Sequence, residues 1–551
     1  MGAMRAFITR FILVVCASCA AFASDDESPA PSGPTPGGGA SDGGPGDDGS
    51  GPLVTGTPAD YSLAITEVSA LTTVVQGKTA TATVKVKRGV VLTEELALAA
   101  TGLRDGITAT GKIPPGMTEG TIAIDVPPSA AQGQFTIEVV ASAPMTANHP
   151  AVTSAKVKGD VFVRGPSGAL DTTFAAATGG VVNVFGAARA ANGRDIVVLG
   201  DDTIVVGGGG EGNHSVVARL SRDGVVDAVF DGKANTEPSG LVGGRVFAAG
   251  GGKVVFAGRD LGYTKLVVRQ YGSDGTPDAA FGGAGFATIS PGSTWAPIEG
   301  VAQTTTGDLL LGFNWSGQTY TIGIAKRKPD GSADPTFTYS GAQQVGLSFG
   351  TLGSLTVMVG IGVRPDGKVF AVGTAKNTVG IFQLTANGDS YDLTFGANNS
   401  GKMTFLEPDA YRPTFPPGVV LDAADGSVVA PFYAMSGMFL FKFSASGQPF
   451  AGFGQNGRAL GPTSSTYRDP SSIVRDKNGN YVVGFANPDE CLIARFTAAG
   501  ALDPSFAQQG LNKSMVAGNC RAATQKDGRL VVMGTPANGQ PADTVVARLW
   551  D

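Results

Sequence analysis

Residues 500–506 read Gly-Ala-Leu-Asp-Pro-Ser-Phe, and residues 168–174 read Gly-Ala-Leu-Asp-Thr-Thr-Phe. The shared pattern is a Gly turn, an apolar residue, Asp, two variable residues and Phe. It returns as VDAVF at Asp227, PDAAF at Asp278, ADPTF at Asp334 and YDLTF at Asp392. A degenerate copy, PFAGF, places Phe450 where Asp is expected. Together with Asp171 and Asp503 this makes seven copies, spaced 56, 51, 56, 58, 58 and 53 residues apart. A repeat of that size, built from short apolar runs and Gly turns, predicts a propeller or a solenoid.

The residues around each copy choose between the two. After the Phe comes a Gly-containing stretch and an apolar strand, as in GGVVNV or GGAGFATI, and then a variable segment. Two strands follow around a second turn, most clearly in RPDGKVFAVG, DKNGNYVVGF and QKDGRLVVMG. A closing strand such as VVARL, IFQL or LIARF ends the unit. Asp-Gly and Asn-Gly supply the positive φ of tight hairpin turns. Four strands in each of seven units predict an all-β, seven-bladed propeller over 165–551. The chain stops at TVVARLWD, a closing strand, so the ring can shut without an unpaired edge. The G-x-L-D-x-x-F, D-G-K-x-V-V-x-G and V-A-R-L pieces resemble the bacterial delta-60 repeat β-propeller proteins. That resemblance implies the fold and carries no assigned activity. The chain departs from it at Phe450 and at Val246–Gly250, which lacks an Asp-Gly turn.

Residues 59–164 have a different texture. YSLAITEV, TATATVKVKR, TEGTIAIDV and QFTIEVVAS alternate apolar and polar residues over strand lengths, with turn signals at Asp105-Gly106 and Pro114-Pro115-Gly116. Six or seven strands here predict a β-sandwich. The order of these strands resembles bacterial immunoglobulin-like surface modules, which implies a spacer or docking role. No Cys–Trp–Cys set is present, so the module is not antibody-like.

Arg5 and Arg10 precede a mostly apolar run, Phe11–Phe22, and Ala21-Phe22-Ala23 offers a small-x-small cleavage site. This predicts a signal peptide over 1–23. A second reading makes Cys19 a lipidation site after Ala17-Ser18, with Cys16 where a lipoprotein box has Leu. Residues 24–58 are rich in Gly, Pro, Ser and Asp, and predict a disordered tether. A net charge of −6 without a Lys/Arg run argues against nucleic acid and anionic membrane surfaces as partners.

Strand direction divides the turns between two faces. The Asp-Gly turns and the L-D-x-x-F turns share a nearly uniform face. The other face carries variable segments, where recognition tends to sit. Trp295, Trp315, Tyr339, Tyr411, Phe415 and Tyr467 fall in or beside them and are the candidate partner-binding residues. The competing reading of each is a blade-end cap. The same count puts Cys491 and Cys520 on adjacent blades, where an exported compartment permits a disulfide. The repeated Asp residues read as turn acceptors fixing the blades. Calcium would need a denser oxygen pattern, so no metal and no cofactor are expected. His149 and His214 are too few and too far apart for a triad or a multi-His metal site, and both read as loop residues. Glu211, Glu237, Glu299, Glu407 and Glu490 show no acid–nucleophile spacing, so no catalytic residues are assigned.

The sequence thus predicts an exported protein of the periplasm, outer-membrane surface or extracellular space. Its propeller would be a binding scaffold for a protein or carbohydrate partner rather than an enzyme. The alternatives are a polysaccharide-active enzyme on the same scaffold and a purely structural surface or adhesion component.

Overall fold

The computed structural model describes residues 60–551, apart from 186–190, 211–213, 236–240, 291–297, 317–319, 338–346, 351–355, 376, 409, 412, 415, 436, 463–468, 488–489, 515–517 and 536–543. The signal-peptide, Cys19 and tether expectations lie outside the described residues.

The first module is a nine-stranded sheet: β1 Leu63–Val68, β2 Leu71–Val75, β3 Thr79–Arg88, β4 Leu96–Thr101, β5 Thr108–Ile113, β6 Glu119–Asp125, β7 Gly133–Ala143, β8 Val152–Thr153 and β9 Val157–Arg164. Its order is β1-β3-β6-β5-β4-β7-β9-β2, with β8 on β7. Alternation in the sequence becomes alternation in burial, as in the eBeB pattern of β2. One apolar cluster takes Val84 and Ile124 from one half of the sheet and Leu98, Val139 and Val161 from the other.

The rest of the chain forms seven small antiparallel sheets arranged as a seven-bladed propeller. From the innermost strand outward, blade I is Ala191–Val198, Ile204–Gly210 and His214–Leu220. Blade II is Leu241–Ala249, Lys253–Asp260, Leu266–Tyr271 and Phe286–Ile289. Blade III is Ile298–Gln303, Leu309–Ser316, Tyr320–Arg327 and Leu347–Gly350. Blade IV is Val357–Val363, Val369–Ala375, Thr378–Leu384 and Lys402–Leu406. In blade V the innermost strand is broken into Ala410–Tyr411 and Val420–Leu421, followed by Val428–Ala434, Gly437–Phe443 and Arg458–Leu460. Blade VI is Pro470–Arg475, Tyr481–Phe485, Cys491–Phe496 and Leu511–Ser514. Blade VII is Asn519–Thr524, Leu530–Thr535, Val545–Leu549 and, as its outer strand, Val181–Asn183.

That last blade shows how sequence unit and blade relate. The strand after each L-D-x-x-F completes the blade already under way, so every sequence unit straddles two blades. Three strands from the end of the chain accept one from the start, with Val182 opposite Val546. In blade I, helix α1 (Ala228–Ala234) starts within the repeat motif, capped by Asp227 and containing Phe230, and among the described residues no fourth strand follows it.

The repeat motif works as a rivet. All seven motif Phe residues, from Phe174 to Phe506, are at most 2% exposed. The Gly of each motif sits against the Phe of the motif before it. A Cβ on Gly224 would meet Phe174 at 2.7 Å, and one on Gly388 would meet Phe337 at 2.3 Å. These glycines also hold positive φ, +85° at Gly224 and +62° at Gly388, so both space and backbone exclude a side chain. The series closes on itself, because Gly168 packs on Phe506 and Ala507 N–H donates to Ser167 O. Between the blades lie seven apolar clusters, one at each interface; Val359 and Phe441, for example, join blades IV and V.

The repeated Asp side chains tie the strands of each blade together. Each accepts the N–H two residues on, at 2.9–3.2 Å. Each also meets a basic or amide side chain, usually eight residues earlier in the closing strand. Arg219 donates to Asp227 at 3.0 Å, Lys326 pairs with Asp334 at 2.8 Å and Arg495 donates to Asp503 at 2.8 Å. Gln383 donates to Asp392 at 2.6 Å, and Lys253 pairs with Asp278 at 3.0 Å. At the seam, Arg548 from the end of the chain donates to Asp171 at 2.7 Å. The degenerate copy keeps the cation and changes its partner: Lys442 lies 4.1 Å from the centre of the Phe450 ring.

The first module docks at that seam. Gln132 Nε2 donates to Leu170 O at 3.0 Å, and Gln132 Oε1 accepts from Trp550 Nε1 at 3.0 Å. Phe162 meets the Trp550 ring edge-on at 5.9 Å, and Arg164 donates to Asp551 O at 3.0 Å.

Candidate functional site

The innermost strands of the blades face a central channel, and they share a distortion. Pairing with the second strand skips a residue at Arg194, Glu299, Val359 and Ser471, and skips Gly243–Gly244 in blade II. A bulge adds a residue to one strand and re-aims side chains. Five blades carry one at the same level. In blade V the innermost strand is interrupted between the paired Tyr411 and Val420, and Pro413, Pro416 and Pro417 fall in that interval. Missing N–H donors make proline a poor sheet residue, which accounts for the break. Gly418 N–H donates to Val359 O at 3.0 Å, and Ile473 N–H donates to Pro417 O at 3.2 Å.

Arginines collect at this level. Arg245 of blade II reaches blade V on the far side of the ring, donating to Pro416 O at 2.5 Å, and also to Glu299 O at 3.2 Å. Asp195 Oδ1 lies 3.7 Å from Arg245 and 3.5 Å from Arg521 of blade VII. Glu299 Oε1 accepts from Asn314 at 3.0 Å. Arg194, at the bulge, is exposed. Although part of the residue is open to solvent, the protein around its guanidinium, and then the like charges of Arg259 and Arg245, push that group below the usual range. Arg521 is pushed down to about 9, first by burial and then by Arg245.

Arg521 is held firmly. Its neighbours Cys520 and Ala522 are packed in the cluster between blades VI and VII, so alternation turns Arg521 to the other face of its strand, toward Asp195 of blade I at the inner edge of the ring. Cys520 is disulfide-bonded to Cys491, with the two Cα atoms 5.1 Å apart. Ala522 N–H donates to Ser472 Oγ at 3.0 Å, and Ser471 Oγ bonds the Cys520 carbonyl.

Of the six aromatic residues singled out in the sequence, Trp295, Tyr339, Phe415 and Tyr467 lie outside the described residues. Trp315 is described through its backbone alone, opposite Thr321 in blade III. Tyr411 is 60% exposed and meets the Tyr433 ring edge-on at 5.7 Å. It sits where blade V breaks, next to the segment that reaches the channel. Among the described residues no group of three or more His, Cys, Asp or Glu is placed to hold a metal ion. His149 lies in a bend of the first module, buried against Glu94, whereas His214, expected in a loop, opens the third strand of blade I. Glu407 pairs with Arg458 at 3.2 Å, and Glu211 and Glu237 lie outside the described residues. No described helix is long and apolar enough to cross a membrane.

A linear reading misses the arginine cluster because Arg194, Arg245 and Arg521 are scattered over more than three hundred residues. A signal does exist. Each follows a small residue at the head of the first strand after a variable segment, in NGRD, GGRV and NCRA.

No family model and no curated protein sequence matches this chain. Solved structures do resemble it. Prolyl oligopeptidase B from Galerina marginata is 11% identical with a TM-score of 0.39, and the match covers 65% of this chain and 48% of the peptidase. The chain therefore spans about half the length of that enzyme. A lectin from Aleuria aurantia, in complex with Fucalpha1-6GlcNAc, is 10% identical with a TM-score of 0.32; the match covers 58% of this chain and 96% of the lectin.

Proposed function

We propose that this chain is an exported binding protein of the bacterial cell envelope or surface. Its propeller, read as a delta-60 repeat ring, receives a protein or carbohydrate partner on the variable-loop face. In this reading residues 1–23 direct export and 24–58 form the tether, with lipidation at Cys19 as the variant route. The nine-stranded module is an immunoglobulin-like spacer, joined at the seam by Gln132 and Trp550. One observation carries the binding role. The channel head, on the side of the blade-to-blade crossovers, holds a buried guanidinium, Arg521, that donates no hydrogen bond among the described residues and has one long ion pair, to Asp195. On the opposite face the repeat cations are engaged by the repeat Asp residues. Proteins retain such uncompensated polar groups where something else completes them.

The reading makes the protein a binder and not an enzyme. Asp195 lies between two guanidiniums and Glu299 is engaged by Asn314, so both channel carboxylates serve the cluster. The test is a screen of the purified chain from residue 24 against arrays of glycans and envelope proteins, beside Tyr411→Ala. A specific partner is expected, with weaker capture by Tyr411→Ala at the channel rim. No partner from a folded chain overturns the scaffold reading.

A further inference from the structure

Resting on the reading of the variable-loop face as the binding face, we infer that the channel head is an oxyanion site. It would take a carboxylate, phosphate or sulfate group between Arg194, Arg521 and the edge of Arg245.

Charge, geometry and hydrogen bonding lead there separately. Arg194, Arg245 and Arg521, with Arg259 acting on Arg194, face the carboxylates of Asp195 and Glu299, so positive charge is in local excess in a protein whose net charge is −6. A single oxygen, Asp195 Oδ1, serves both Arg245 and Arg521, at 3.7 and 3.5 Å, longer than a good hydrogen bond. The Arg521 side chain is 9% exposed and makes no hydrogen bond among the described residues. A guanidinium has five N–H donors in a planar fork, and those of Arg521 have a remnant of solvent contact and one long ion pair to serve them. An oxyanion is the complementary partner, since it accepts two parallel N–H bonds and cancels the repulsion among the arginines.

The site is also built and reachable. Arg521 faces blade I across Asp195, beside the bulge at Arg194, so residues of blades I and VII meet at the inner edge of the ring. Arg245 spans the ring and fixes the backbone at Pro416. All three arginines lie within the first five residues of their strands, toward the crossovers. Arg194 is exposed, so an incoming anion meets it first and Arg521 behind it.

The experiment is isothermal titration calorimetry of the chain from residue 24 at pH 7. The probes are inorganic phosphate, trigalacturonate as an acidic oligosaccharide, and maltotriose as a neutral one. Trigalacturonate or phosphate is expected to bind and maltotriose to give no heat. Arg521→Met and Arg194→Met should each weaken the anion at least ten-fold, while Lys112→Met, on the exposed surface of the first module, leaves it unchanged. The melting temperature should fall by no more than a degree or two in Arg521→Met and rise in the native chain with the anion added. Binding of trigalacturonate that phosphate displaces places the oxyanion on a sugar chain. Binding of phosphate alone makes the ligand a small free anion, and either result supports the site. No heat from either anion at millimolar concentration, or equal binding by the arginine variants, overturns it. Should Arg521→Met not fold, exposed Arg194→Met still decides. An anion that binds while the arrays stay empty would retire the macromolecular partner and keep the site.

Discussion

The two ends of the blades use the same side chains to opposite ends. On the Asp-Gly face a cation from the closing strand meets the repeat Asp, which is further held by a backbone N–H. Arg548 is 1% exposed, with Asp171, Asp223, Gln525 and the Arg222 carbonyl around it. At the channel head Arg521 is nearly as deep and has one distant carboxylate oxygen. Burial alone therefore does not tell a fastener from a receptor. The count of satisfied donors does.

The largest expected effect lies at the seam. Asp171→Ala leaves Arg548 and Arg529 without their shared carboxylate, and breaking a buried pair from one side costs about 3–5 kcal/mol. Arg521→Met removes a charge held by one long ion pair and crowded by Arg245, and Asp195 keeps Arg245 as a partner, so its denaturation midpoint should stay near the native value. Equal losses of stability in the two variants would erase the distinction between the two ends.

A smaller effect comes from acid. Burial opposes ionisation of Asp334, but bonds from Lys326 and Thr336 outweigh it and hold the carboxyl at about 2. Asp227 is lowered first by the Phe230 N–H and then by Arg219, and Asp278 first by Lys253. These folded values lie below the ordinary 3.8, so the fold favours the ionised form. The stability they add is complete above about pH 4 and drains away toward about pH 2, with Asp334 contributing about 2 kcal/mol. Denaturation midpoints across that window should fall in the native chain and fall less in Asp334→Asn. Identical slopes would mean that the Asp-Gly face does not hold the ring by charge.

The smallest effect is expected at the degenerate copy. Phe450→Asp restores the repeat and offers Lys442 a carboxylate in place of a ring. One favourable contact replaces another, so the change should stay within about 1 kcal/mol by urea denaturation. A loss above 3 kcal/mol would show that Phe450 is core rather than a variant of the fastening.

Much of the fold was legible because its signals are local. L-D-x-x-F, Asp-Gly and the closing strands each lie within a dozen residues, and their period named the ring. The role of the motif was only half legible. The turn hydrogen bonds of Asp334 follow from its neighbours, but the contact of Gly224 with Phe174 joins different repeats. The straddling of two blades by each unit was invisible for a similar reason: a strand of the right pattern does not say which neighbour it pairs with. Arg194, Arg245 and Arg521 were faint because the ring gathers one residue from each of several distant strands, and the small residue before each Arg is a weak mark on its own. Tyr411 was the reverse case, found by residue type, with its place beside the broken strand of blade V known only from the fold.

The pairing of Val182 with Val546 has a consequence for how the molecule is made. Some 360 residues separate the two, so the ring has its most non-local contact at its point of closure. While the intervening chain is made, the early strand has no partner and is an open edge of the kind that invites association. It is three residues long, Val181–Asn183, and a strand that short is a poor template for a stranger. Its brevity guards the chain during the interval in which its proper neighbours do not yet exist.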